Sequence, residues 1–139
     1  MSELHNSLKG VKSNLDCGDV DLFKHIKKIK KDAKIYLAHL GKNGYEHSVR
    51  LEQYLDSLTQ KLRVQSRISA DEIFILLYAV YLHDIGYDKN GHIESSGHQK
   101  RSQEYIFNDL AKYSFDIFPP FKGNIPRVAE AVGIVCKGH

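Results

Sequence analysis

Ser69-Ala70-Asp71-Glu72-Ile73-Phe74-Ile75-Leu76-Leu77-Tyr78-Ala79-Val80-Tyr81-Leu82-His83-Asp84-Ile85-Gly86 is the stretch on which the fold turns. Its first four residues have the Ser-x-x-Glu form of a capping box, in which hydroxyl and carboxylate each satisfy an amide left open at a helix start. From Ile73 through Leu82 the chain is apolar nearly all round, the pattern of a helix buried on every side. A buried strand is the competing reading of so apolar a run. The cap, the length, Ala79 and the leucines favour a helix. This is the expected central helix, and His83-Asp84 stand at its end.

Upstream, His47, Leu51, Tyr54, Leu55, Leu58 and Leu62 recur at three and four, which predicts one continuous inward stripe behind the Asn43-Gly44 turn. An earlier helix is expected from Asp19 as N-cap to a stop at Gly41, with Leu22, Phe23, Ile26, Ile29, Ile35, Leu37 and Leu40 as apolar positions. Residues 1–18 are polar and interrupted by Gly and Ser, and read as a loose or weakly helical lead-in. Downstream, Asp88 to Gly97 reads as a polar loop. A further helix is expected from about Ser96 to Tyr113, with His98, Ser102, Tyr105, Ile106 and Leu110 on one face. Pro119-Pro120 breaks the chain, and Asn124 with Pro126 opens a last helix carrying Val128, Val132, Val135 and His139. The expected class is all-α, a bundle of about five to six helices.

Composition bounds the function more loosely. The chain has 139 residues, of which 42% are hydrophobic and 27% charged, enough for one domain with a real core. Its formal charge of +3 is mild, and much of it comes from Lys27, Lys28, Lys30, Lys31 and Lys34. That run reads as the solvated face of a helix. Neither a helix-turn-helix signature nor interleaved aromatics support nucleic-acid binding. Cys17 and Cys136 are too few for a disulfide scaffold. No secretory leader and no membrane-spanning run is visible, so no membrane partner is expected and a cytoplasmic location is.

Eight histidines are present. A single His on an apolar face is usually a hydrogen-bonded core residue. Here His47 falls near the start of its helix, His83 at the end of the next, His98 at the start of the one after, and His139 at the end of the last. In an up-down bundle those positions all lie at one end. Four imidazoles and Asp84 would then converge, and a buried carboxylate is costly unless paired. A divalent metal resolves both problems. Imidazole nitrogen with one carboxylate suits Fe, Mn, Zn, Co or Ni and is poorly matched to calcium.

The pattern resembles the HD superfamily of metal-dependent phosphohydrolases. The text that carries it is Glu46-His47-Ser48-Val49-Arg50, then Leu82-His83-Asp84-Ile85-Gly86, then His98-Gln99-Lys100-Arg101-Ser102, and Val132 to His139. It covers about residues 43–139. The resemblance implies an HD-domain-like helical bundle, and with the lysine-rich helix that precedes the matched span the domain is expected over residues 19–139. It also implies one or two divalent transition metal ions, with His47, His83 and Asp84 at the first and His98 and His139 at the second. Asp84 would bridge them as the catalytic carboxylate. Arg50, Lys100 and Arg101 are the weaker candidates for a substrate phosphate.

The implied activity is hydrolysis of a phosphomonoester or phosphodiester, of a nucleotide, by metal-activated water. Two departures qualify it. Many members of the two-metal subgroup have Lys where this chain has Tyr87. Members also carry a further metal-binding Asp beyond the last His, whereas this sequence stops at His139, so the domain is expected to be truncated there. The alternative is a catalytically inactive nucleotide-sensing or protein-interaction module of a larger signalling or ATPase-containing protein.

Overall fold

The fold is that of a computed structural model, which describes residues 1–11, 21–89, 91–108, 131–132 and 134–135. Among the described residues, α1 (Glu3–Asn6), α2 (Leu22–Tyr36), α3 (Tyr45–Val64), α4 (Ala70–Leu82) and α5 (His98–Asn108) follow one another. The all-α expectation holds. Asp19, Tyr113, Pro119, Pro120, Asn124, Pro126, Val128 and His139 lie outside the described residues.

The capping box forms as expected. Ser69 Oγ accepts the Glu72 amide at 3.1 Å, and Glu72 accepts the Ser69 amide at 3.0 Å. Behind it, Ile73, Phe74, Leu77, Tyr78, Ala79, Val80, Tyr81 and Leu82 are all buried. Helix α2 packs across α4. Its Leu22, Ile26, Ile29 and Ala33, at helical spacing, and Leu37 just beyond are at most 1% exposed, each large side chain contributing about 1.5–3 kcal/mol. The N-cap of α2 is Asp21, whose carboxylate accepts the Lys24 amide at 3.0 Å. The helix ends at Tyr36. A short 3-10 stretch, Ala38–Asn43, with Gly41 at φ 62°, turns the chain into α3.

The N-terminal segment and α3 are each shaped by contacts that hydrophobic spacing does not announce. Residues 1–11 take the helical alternative, with Glu3–Asn6 as α1, and they are packed: Leu4, His5 and Leu8 are fully buried, and Asp56 on α3 accepts the Glu3 and Leu4 amides at 3.3 and 3.0 Å. The inward stripe on α3 is also rotated. Tyr54 and Leu58 are 65% and 74% exposed, while Ser48, Glu52 and Thr59 are buried. The reason is a polar network that hydrophobic periodicity does not register. Lys30 Nζ lies 2.7 Å from Glu52 Oε1, Tyr81 donates to the same oxygen at 2.6 Å, and Ser2 donates to Glu52 Oε2. Lys30 also donates to His5 Nδ1 at 2.7 Å, since His5 Nε2 is committed to the Phe23 carbonyl. A satisfied carboxylate can occupy a face that sequence pattern reserves for leucine. Lys30 thus leaves the lysine run, whose other members Lys27, Lys28, Lys31 and Lys34 are exposed as expected of a solvated face.

After α4, the segment expected as a polar loop contains a two-residue antiparallel ladder, Asp88–Lys89 (β1) with His92–Ile93 (β2). Asp88 closes its turn by accepting the Gly91 amide at 2.8 Å. Helix α5 packs on the Ile85–Tyr87 turn, against the end of α4. Ala131, Val132, Ile134 and Val135 are helical, and Val132 is fully buried. Among the described residues, no helix is long and apolar enough to cross a membrane.

Candidate metal centre

The up-down course of α3, α4 and α5 brings three of the four singled-out histidines to one bundle end. His47 lies in the first turn of α3, His83 caps the C-terminus of α4, and His98 opens α5. Asp84 sits among them. Its Oδ2 is 3.1 Å from His83 Nε2 and 3.9 Å from His47 Nε2; its Oδ1 is 3.8 Å from His98 Nε2. His83, Asp84 and His98 are buried, and the His47 side chain is 37% exposed.

Ring orientation is set by the backbone. His83 Nδ1 lies 2.7 Å from the Val80 carbonyl, and His98 Nδ1 lies 2.8 Å from the Ser95 carbonyl. A carbonyl only accepts, so both Nδ1 atoms carry the proton. In the neutral ring Nε2 is then a lone pair, the form in which histidine ligates a metal, with the other nitrogen held by an outer partner. Two such lone pairs face one carboxylate. They repel it unless a cation or a proton lies between. One ligand atom from each of His47, His83 and Asp84 falls within 4.8 Å of the others, so these three could hold a metal ion. Imidazole nitrogens with a carboxylate oxygen fit a divalent transition metal. His98 faces the opposite carboxylate oxygen and lies outside that group.

The centre opens into a cavity of about 380 Å³, lined among the described residues by Leu40, His47, Asp84, Tyr87 and Ile93. Tyr87 stacks on the His98 ring, with centroids 4.0 Å apart and planes inclined by 20°. In the sequence Tyr87 stood out only as a departure and Leu40 only as an apolar helix position, and Ile93 did not stand out. Ile93 carries no signal inside a polar loop; only the hairpin brings it to the cavity.

The three basic candidates do not line this cavity. Arg50 and Lys100 are exposed on their helices. Arg101 is engaged with backbone instead: Nε donates to Gly86 O at 2.7 Å, Nη1 to Ser96 O at 2.6 Å, and Nη2 to Glu94 O. Its fork holds the loop that leads into α5. Gly86 must stay bare, because a Cβ there would collide with the His98 carbonyl and with Ser102.

Comparison with curated proteins and with solved structures finds no match. The sequence pattern of the HD-CE family, however, matches residues 37–139, a span that contains His47, His83, Asp84 and His98. With that match over most of its length, and with a His/Asp cluster at the end of its central helix, the chain belongs to the HD-CE family.

Proposed function

We propose that this HD-type domain is a metal-dependent phosphohydrolase acting on a phosphomonoester or phosphodiester of a nucleotide. The observation that supports this reading is the Asp84 carboxylate, facing three imidazole Nε2 atoms beside an open cavity. His47, His83 and Asp84 would hold one divalent transition metal, and Asp84 Oδ1 with His98 would face a second. When bound, such a metal supplies an acidified water near neutral pH and a Lewis acid for a phosphoryl oxygen. The chain's own residues do the rest. The Val80 and Ser95 carbonyls keep the His83 and His98 rings in the ligating tautomer, and Leu40, Tyr87 and Ile93 give the cavity an apolar side against which a base could lie.

A second reading, a sensor module that binds a nucleotide without turnover, draws support from one observation. Among the described residues that line the cavity, none is Lys or Arg, although phosphate recognition commonly employs them. The readings separate by experiment. Wild-type protein loaded with Mn²⁺ or Co²⁺ is expected to hydrolyse at least one member of a panel of nucleotides, and Asp84→Ala to lose that activity. Equal turnover by both would refute the proposed site. Tight nucleotide binding with no turnover would favour the sensor.

A further inference from the structure

The centre has two buried serines that the site itself does not use. Ser48 follows His47 on α3, and Ser102 lies one turn after His98 on α5; both are fully buried. A hydroxyl in a helix ordinarily bonds back to a carbonyl of its own preceding turn. Thr59 does so, with Oγ1 donating to Leu55 O at 2.7 Å. Ser48 and Ser102 instead reach across to the end of α4. Ser48 Oγ donates to Val80 O at 2.9 Å, the same carbonyl that accepts from His83 Nδ1. Ser102 Oγ donates to the backbone carbonyl of His83 itself at 2.6 Å and accepts the Gly86 amide at 2.8 Å.

Each outer histidine therefore shares its helix with a serine that grips the C-terminal end of α4 or the turn that follows it. Ser48 fixes the acceptor that orients the His83 ring and ties the start of α3 to it. Ser102 spans the turn from His83 to Gly86, and thereby sets the start of α5 against Asp84. A shift of either helix along α4 would move His47 or His98 relative to the carboxylate. Small displacements matter in a ligand set, where outer partners are commonly worth 10–100-fold in affinity.

We infer that Ser48 and Ser102 are positioning residues, which register α3 and α5 against the central helix so that His47 and His98 meet Asp84. This rests on the metal reading above. The test is Co²⁺ titration of chelator-stripped, full-length protein, read by calorimetry and by the visible ligand-field spectrum, with urea unfolding of the apo-protein measured alongside. Ser48→Ala and Ser102→Ala are each expected to weaken Co²⁺ binding by about tenfold and to change the spectrum. Ser48→Thr, which keeps the hydroxyl, should stay within about threefold of wild type. Because Ser102 makes two bonds, its alanine variant carries the greater risk to folding; Ser48→Ala then decides the matter alone. Affinity and spectrum unchanged in a folded Ser48→Ala protein, whatever its urea midpoint, would overturn the inference. Absence of Co²⁺ binding by wild type would instead overturn the metal reading on which it stands.

Discussion

Asp84→Ala is expected to lower the affinity for Co²⁺ or Mn²⁺ by more than about 100-fold, because loss of a mere outer partner already costs 10–100-fold. The carboxylate contributes the one anionic donor of the described cluster, and both of its oxygens face imidazole nitrogens. Removing it leaves the His83 and His98 rings held in place by the Val80 and Ser95 carbonyls, which the substitution does not touch. The apo variant should therefore keep its helical circular-dichroism signal. Glu46→Ala, which removes an exposed carboxylate next to His47, is the matched control and should bind as wild type does. A similar loss in both variants would point to general electrostatics rather than ligation.

Glu52→Ala should destabilise the domain by about 3–5 kcal/mol at neutral pH, the usual cost of stripping one partner from a buried ion pair. Its carboxylate gathers Lys30, Tyr81 and Ser2 from three parts of the chain, and the Lys30 side chain it leaves behind is only 15% exposed. The double replacement Lys30→Met with Glu52→Leu should recover part of that loss, since an apolar pair replaces both charges while the Tyr81 hydroxyl and His5 Nδ1 lose their partners.

The same network shapes the response to acid. Burial, opposed in part by the Phe23 carbonyl and helped by the Lys30 charge, holds the His5 imidazole below its ordinary 6.5. The unfolded chain therefore takes up a proton first, and stability present above pH 6.5 declines as the pH falls below it. Burial would raise the Glu52 carboxyl, but hydrogen bonds from Lys30, Ser2 and Tyr81, together with the Lys30 charge, outweigh it and hold the group below its ordinary 4.5. Its contribution is present above pH 4.5 and is lost as the pH falls through its lowered value. Urea unfolding from pH 7 to 3 should show both declines in wild type, and the lower one should be much shallower in Glu52→Ala.

Much of this was legible in residues 69–86, where cap, apolar body and His-Asp terminus predict the central helix, its burial and the place of the site. The convergence of His47, His83 and His98 followed from the start-or-end position of each on its helix. What escaped is mostly polar. Glu52 reads as a surface residue because nothing in local spacing announces that Lys30, Ser2 and Tyr81 will meet it. That one carboxylate turned α3 and left Tyr54 and Leu58 exposed. Leu4 and Leu8 stand too few in number to make a periodic signal, and the short helix that carries them is anchored by polar contacts from Asp56, Glu52 and Lys30. Arg101 resembled a phosphate ligand by charge; its partners are carbonyls brought near by a hairpin that the sequence presented as a loop.

The central claim is that the His/Asp cluster is a metal centre, and metal uptake tests it most directly. Protein purified without a histidine tag and stripped with chelator should, on titration with Co²⁺ or Mn²⁺, take up roughly one or two equivalents, and Asp84→Ala should take up none at the same concentrations. Folded wild-type protein that binds neither ion, nor Zn²⁺, Fe²⁺ or Ni²⁺, would contradict the account.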